Sequence, residues 1–564
     1  MLTITKFAGE IPKATPRLLP DNFAQIARNC KLIDGALVPL RWPAPVRTPS
    51  AGTVCFFKKG DRWFEHSSLV EIAAAPIAQD RIYMTGDGKP KMVVDSSTVY
   101  ELGLSGPVAA LEVAIKDGEE VDTDTQQSVL YAYTYVTIHD EESPPSPLSK
   151  ELLVSPATVV EISNFVEPAA GRGINRFRLY RSQTSASGVT DLYFVYERVF
   201  PVKNPLEDSL ELRDFVEPIK SNNYDPPPDD MHSIIALPNG MMAAISGKDL
   251  CFSEPYTPHA WPEKYRLALD WDGVGLAAFG QSVAVMTTGH PYVATGSAPE
   301  AMVMERLEVN FPCVASRGIV DMGYAAVYPC PDGLVTISNG GATLVSRAIV
   351  GRDAWQALRP ATFVASQHDG RYIATWTKKD GTRDTLIFDM TGESPFLTHV
   401  DPIADFMFFE VGAGTLYLLQ GASITEWDAP ERPPMTARWK SKPYIHTGGF
   451  TFGAMLVEGD AYEPAADDGI DPIASISDGI IVSGSYSGSN DNATGDQSAP
   501  APDAFTTKVY AGGQVVRESL AFGEIDRIGA ALQRQWEIEI IGGNTVTAAS
   551  LGFTPSELST SRGA

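Results

Sequence analysis

The sequence predicts an all-β fold: a β-propeller platform with an inserted immunoglobulin- or fibronectin III-like β-sandwich and a C-terminal β region. Three observations lead there. Short β-type runs follow one another along the chain, broken at close intervals by turn formers, with 48 Gly and 42 Pro in 564 residues. Helical periodicity is scarce. A loose unit of strand, Gly or Asp turn, second strand and further turn recurs about every 40 to 47 residues, the period of a propeller blade. One small sheet cannot cover both its faces, whereas a run of blades buries each against the next and leaves no long edge. A stack of β-sandwiches is the competing architecture.

Residues 1–50 read as an extended, Pro-spaced arm with one short helix over Asp21–Cys30. There Phe23, Ile26, Ala27 and Cys30 fall at helical spacing behind Pro20 and a capping Asp21. Residues 51–109 hold the first blades, in Thr53–Ile72 and Ala78–Val94. The texture changes over 110–222, where Tyr131, Tyr133 and Tyr135 alternate with small or aliphatic residues, as a half-buried strand requires. About seven short strands in this length suit a sandwich. The acidic, Pro-rich Asn222–Asp230 returns the chain to the remaining blades, 231–437. These contain the recurring unit at Ile234–Phe252, Gly275–Thr295, Met322–Ser346, Thr362–Asp389 and Asp405–Trp427. In the C-terminal region, 438–564, paired strands are expected within Arg438–Gly459. A low-complexity acidic loop, 458–503, follows and holds ten carboxylates with neither Lys nor Arg.

Seventy Asp and Glu against 44 Lys and Arg give a net charge of −26. Such a surface repels nucleic acid and anionic membranes at long range, which argues against a sequence-reading DNA binder. Solubility alone also accounts for it. The five cysteines are widely spaced and form no CxxC pair, so neither a disulfide framework nor a zinc knuckle is expected. Met1–Glu10 lacks the basic start and apolar run of a signal peptide, and no apolar window of about 18 residues occurs. Folding in a reducing cytoplasm is expected.

Catalytic patterns are missing. No HExxH occurs among eight scattered histidines. Gly247–Leu250 lacks the hydroxyl residue after Lys248 that a phosphate loop needs, and Gly484–Gly488 has Tyr486 where a nucleophile elbow needs Ser. The Asp-Gly stretches Asp270–Gly273 and Asp467–Asp471 do not continue into a calcium loop, and turn chemistry accounts for them. Ser366–Trp376 approaches a sialidase-type turn but has His368 where the Asp belongs. No catalytic, cofactor-binding or metal-ligating residue is assigned, and the expectation is a protein that is not an enzyme.

Three stretches resemble the tail nozzle (tail tubular protein B-like) family of short-tailed, podovirus-type bacteriophages. Near the start, Leu19, Pro20, Ala24, Ala27 and Asn29 fit LP-x-x-x-A-x-x-A-x-N, and Gly35, Leu37 and Pro39 fit G-x-L-x-P. Tyr133–Val136, Glu141–Ser146 and Arg178–Ser182 are similar to the family's inserted module. Trp536–Leu558 resembles its terminal strand pair ending in Glu-Leu. The acidic loop has no counterpart.

The resemblance implies a structural virion protein of the tail, assembled in the host cytoplasm: a homohexameric nozzle ring, conduit and gate for DNA ejection. Its implied partners are copies of itself, tail adaptor proteins, tail fibres or tailspikes, passing double-stranded DNA and the host cell surface. In such a ring Asp460, Asp467, Asp468, Asp471 and Asp478 are candidates for the lumen or tip, where acid keeps DNA mobile; a solvated outer loop explains them equally. Trp42, Trp63 and Trp261 are candidates for contacts between subunits, with core burial the alternative, and the arm is a candidate clamp on a neighbour. Two other readings stand beside this one. They are a receptor- or glycan-binding propeller and a polysaccharide-cleaving one, which needs two convergent carboxylates.

Overall fold

The computed structural model describes residues 1–564 apart from 75, 78–79, 95–97, 120, 157, 185–189, 204, 210–216, 393, 464–498 and 562–564. The chain divides into two compact units. A central unit comprises Gly52–Cys330 and Thr336–Thr343; a terminal unit comprises Met1–Ala51, Pro331–Val335 and Leu344–Ala564. Strands dominate both. The α-helices among the described residues are Arg352–Ala357 and Pro555–Ser561.

The central unit contains four-stranded antiparallel sheets whose strands follow one another in chain order, the pattern of propeller blades. One is built from Glu71–Ala74, Arg81–Thr85, Lys91–Val94 and Thr98–Glu101. A second uses His232–Ala236, Met242–Ser246, Asp249–Phe252 and Leu267–Ala268; a third uses Gly273–Phe279, Ser282–Thr287, Tyr292–Thr295 and Val303–Arg306. Turn chemistry sets these hairpins. Phe279 pairs with Ser282 across Gly280, whose φ of 57° is one that residues with a Cβ avoid. Ile245, Leu250 and Phe252 of the second sheet share a core with Leu276, Val283 and Val285 of the third, so each blade covers its neighbour. Trp261 belongs to such a core. It is 1% exposed and its indole N–H donates to the Pro258 carbonyl at 2.8 Å, so it is no subunit contact. Trp42 and Trp63 are half-buried.

The inserted sandwich sets Tyr131–Thr137, Ile174–Thr184 and Thr190–Val199 against Glu112–Ile115, Val159–Ser163 and Leu206–Ser209, with a small pair, Gln127–Val129 and Leu152–Val154. Tyr131, Tyr133, Tyr135, Phe177 and Leu179 pack on Val160 and Ile162. The expectation of a half-buried strand needs correction, because every residue of Tyr131–Thr137 is buried. Its second face meets polar partners instead of water: the Thr134 hydroxyl donates to Glu142 at 2.8 Å.

That strand is also the edge of its sheet. The segment Ser143–Ser149, in which every third residue is Ser, lies along it. The amides of Ser143, Ser146 and Ser149 donate to the carbonyls of Tyr135, Tyr133 and Tyr131 at 3.0, 2.8 and 2.9 Å. In return the three Ser Oγ atoms accept from the amides of the same tyrosines at 2.9, 3.2 and 3.0 Å. Each Oγ then donates to the carbonyl of the residue that follows it. The prolines between them have no N–H and so cannot continue a ladder outward. Side chains thus complete an edge that backbone alone leaves half-answered.

In the terminal unit the expected helix at Asp21–Cys30 is absent: Phe23–Arg28 is a strand. It lies inside an 11-stranded sheet, with Ala437–Ser441 on one side and Ala8–Glu10 and Phe396–Val400 on the other. Partners distant in sequence answer its backbone on both edges, which outweighs a weak local helical pattern. Residues 1–50 are not a free clamp. Leu2–Ile4 pairs with Thr545–Gly552, and Ala44–Arg47 is the outer strand of the sheet formed by Phe406–Glu410, Thr415–Gln420 and Ser423–Glu426. The Trp439 indole donates to the Ala8 carbonyl at 3.0 Å, with Phe7 edge-on to its ring at 4.9 Å.

The pairing expected within Arg438–Gly459 does not form. Ala437–Ser441 and Tyr444–Phe450 both pair with Gln533–Gly542, whereas Ala454–Asp460 pairs with Thr545–Gly552. The last two strands likewise lie in different sheets, with Trp536, Ile538 and Ile540 of one sharing a core with Met455, Val457 and Leu551 of the other. Burying two apolar faces against each other explains the separation. The fold class is the expected one: all-β, of β-propeller type, with an inserted sandwich and a C-terminal β region.

Replacing Ser146 by Ala removes an acceptor for the Tyr133 amide and a donor to Pro147 in a buried setting. The expected loss is about 1–3 kcal/mol of stability, read as a lower urea midpoint. An unchanged midpoint would mean that the Ser ladder contributes nothing.

Candidate functional site

The described residues offer two places where polar groups gather with a purpose the core does not explain. The first is a cleft of 560 Å³ in the central unit, between the sandwich and the first two blades. Consecutive carboxylates, Glu141 and Glu142, form its floor just ahead of the Ser ladder, which fixes where they point.

Glu141 is 4% exposed and bridges two arginines. Arg81, from the strand Arg81–Thr85, reaches one oxygen at 3.1 Å, and Arg172 reaches the other at 2.8 Å. Arg172 also donates from Nε to the Gly103 carbonyl at 2.9 Å. Glu142 is saturated differently. One oxygen takes the hydroxyls of Tyr180 at 2.6 Å, Thr134 at 2.8 Å and Ser221 at 3.3 Å, while the other takes Arg178 at 2.8 Å. Four donors fill the lone pairs of a carboxylate. Burial, reinforced by Glu142, pushes the Tyr180 phenol well above its ordinary pKa, so it remains a donor.

Behind the carboxylates sits His259, 6% exposed. Its Nε2 lies 3.1 Å from the Glu142 carbonyl, which can only accept, so Nε2 carries the proton. Nδ1 faces Glu141 at 4.0 Å. Burial lowers the imidazole pKa, and the Glu141 carboxylate opposes that shift. At the mouth stand Glu197, held by Arg178 at 2.9 Å and Arg176 at 2.8 Å, the exposed pair Lys220–Glu217, and Tyr256. Both carboxylates deep in the cleft are thus paired, an arrangement that orients and binds.

The second place is the root of the acidic loop, in the terminal unit. Asp460 ends the strand Ala454–Asp460, opposite Thr545, and is exposed. Asp467, Asp468, Asp471 and Asp478 lie outside the described residues. Both ends of the loop converge on one turn. On the way out, the Tyr462 amide donates to the Asn544 side chain at 3.1 Å. On the way back, Pro502 lies so close to Gly543 that a Cβ there would meet it at 2.6 Å, and the Asp503 amide donates to Thr436 Oγ1 at 2.9 Å. Tyr462 and Pro502, on either side of the undescribed stretch, therefore both lie against Gly542–Asn544.

Among the described residues no group of three His, Cys, Asp or Glu is arranged to hold a metal ion. Asp270 accepts from Tyr292 at 2.9 Å and pairs with Arg306 at 3.2 Å, which is turn and ion-pair chemistry.

No protein-family model matches the chain, and no curated protein matches it. Some solved structures show a distant likeness to it. BBS1N in complex with ARL6DN, soaked with lead, is 12% identical over 69% of this chain and 96% of that one, at a TM-score of 0.27. The mercury-soaked counterpart is 9% identical over 69% and 95%, at 0.26. The extracellular domain of a putative hybrid two-component system from B. thetaiotaomicron is 10% identical over 75% and 43%, at 0.21. Likeness at these scores carries no argument about this chain, and the fold rests on its own sheet order and cores.

Two outcomes follow from the cleft. Glu141→Gln leaves two buried guanidinium groups uncompensated and should cost about 3–5 kcal/mol in a urea titration; a loss within error would show the pairs to be idle. The unfolded chain takes up a proton at residue 259 near pH 6.5, the folded chain only lower, so this histidine's contribution is present above that pH and is lost as pH falls through the folded value. A melting series should therefore show His259→Gln with a shallower decline below about pH 6.5 than the wild type. Parallel curves would count against the buried neutral imidazole.

Proposed function

We propose that the chain is a noncatalytic subunit of the tail nozzle of a short-tailed bacteriophage, forming a homohexameric ring through which DNA leaves. Its partners on this reading are copies of itself, the tail adaptor, fibres or tailspikes, passing DNA and the host surface. The sequence resemblance at both ends and in the inserted module supports the reading.

The observation that carries it furthest is the acidic stretch, with ten carboxylates and no Lys or Arg from Glu458 to Asp503. Double-stranded DNA bears about one negative charge per ~1.7 Å, and a conduit that gripped phosphates would retain the genome. A stretch without cations offers that polyanion no counter-charge.

Antibody raised against residues 464–498 provides the test. In negative-stain images of virions that carry this chain, label should sit at the distal end of a short tail, on a particle with sixfold symmetry and a central hole. Label confined to the capsid, or virions that bind none, would sink the proposal.

A further inference from the structure

We propose that the cleft of the central unit is a binding site for a neutral saccharide, with one sugar ring stacked on Tyr256. The inference concerns the central unit alone and stands or falls apart from the ring reading.

Tyr256 is the residue that sets this cleft apart. Its φ is 55°, a left-handed backbone uncommon for a bulky side chain. Its amide donates to the Gly240 carbonyl at 2.8 Å, and its ring lies flat on Gly240, where a Cβ would meet ring carbons at 2.5 to 2.8 Å. Gly240 itself has a φ of 81°. One uncommon backbone conformation, at Tyr256, and a glycine beneath it that leaves room for the ring hold the aromatic in place, and the residue nonetheless remains 65% exposed. Strain of this kind is sustained where the surroundings fix it and concentrates at ligand sites. Burial is not its reward, since a ring seated on one face and open on the other is a platform.

What the platform faces decides the ligand class. The cleft's 560 Å³ falls within the range of small-molecule sites. Asp140, Glu141, Glu142, Glu197 and Glu217 are each already paired with Arg81, Arg172, Arg176, Arg178 or Lys220, so a phosphate, sulfate or sialic acid would have to displace a carboxylate to reach a cation. A wholly apolar guest would strip water from these groups and leave them unpaired. A neutral sugar avoids both costs: its hydroxyls donate to the mouth carboxylates Glu197 and Glu217 and accept from Arg178 or Lys220, and its C–H face covers the open side of an aromatic ring. The walls are already set, with Glu142 saturated by four donors and Tyr224 edge-on to His259 at 5.8 Å, so little ordering is required on binding.

The probe is a printed array of neutral, sialylated and sulfated glycans, followed by calorimetry with the best neutral oligosaccharide bound. Wild-type protein should bind neutral glycans. Tyr256→Phe should keep that affinity, while Tyr256→Asn should weaken it about tenfold or more through loss of the aromatic contact and its buried area. Asn tolerates a left-handed backbone, so this variant keeps the turn, and an unchanged melting temperature verifies that. Absence of any neutral glycan bound, binding confined to charged glycans, or equal affinity of wild type and Tyr256→Asn each overturns the inference. A protein that binds neutral glycans yet is missing from phage tails removes the ring proposal and leaves this one intact.

Discussion

A strand edge enclosed by protein must have its amides and carbonyls answered, and Tyr131–Thr137 is the edge on which the central unit's polar architecture depends. Backbone from an ordinary neighbouring strand would answer it and leave another edge beyond. The Ser-Pro segment answers it and stops, because Ser side chains supply part of the pairing and Pro supplies no onward donor. The consequence reaches past the sheet. A segment locked to the strand at three successive serines fixes the residues just before it, so Glu141 and Glu142 enter the junction between sandwich and blade in one orientation.

Their burial is hard to justify by stability alone. Taking carboxylates and guanidinium groups out of water costs several kcal/mol per ion, and apolar residues of the same volume often do as well or better. What a matched cluster supplies is geometry. Arg172 and Arg178 pair with these carboxylates inside the sandwich, whereas Arg81 comes from a blade strand and reaches Glu141 only when sandwich and blade are docked in one register. Misdocking by a residue would strand a buried charge, a penalty larger than anything a shifted apolar contact exacts. The cleft exists because this junction is polar: a packed apolar interface would have closed it.

The legibility of all this in the sequence divides along the range of the interactions. Blade hairpins were readable because their signals are local. Gly280 and the pair Asp369–Gly370, at φ of 51° and 69°, are the residues such turns demand, and the tyrosine alternation of Tyr131–Tyr135 marks a strand directly. Phe23–Arg28 was misread because its short apolar pattern fits a helix, while the partners that make it a strand lie near residues 397 and 440. Glu141 and Glu142 were visible only as part of a family motif. Two adjacent carboxylates ordinarily mean a solvated turn, and nothing nearby announces Arg81 or Arg172. The signal that could have found them is the Ser spacing of three that follows. Tyr256 left no trace at all, since a left-handed tyrosine looks like any other until Gly240 is seen beneath it.

The same division of range orders the folding of the two units. Apart from Thr336–Thr343, the central unit is one continuous stretch, and its blades are meanders of neighbouring strands, so its contacts can form as the chain emerges. In the terminal unit Leu2 pairs with Leu551, Ala24 with Ser441 and Ala44 with Glu426. Loop closure must precede any gain from those contacts, and the partners of residues 2–47 are made last. The N-terminal strands therefore wait, exposing unpaired edges and apolar side chains such as Phe7 and Phe23, until the sheets that receive them exist. A protein built in this way joins its first and last strands in one sheet, at the expense of a slow and aggregation-prone interval before completion. The high carboxylate content has a second use there: like charge along a waiting chain keeps copies apart while their edges are open.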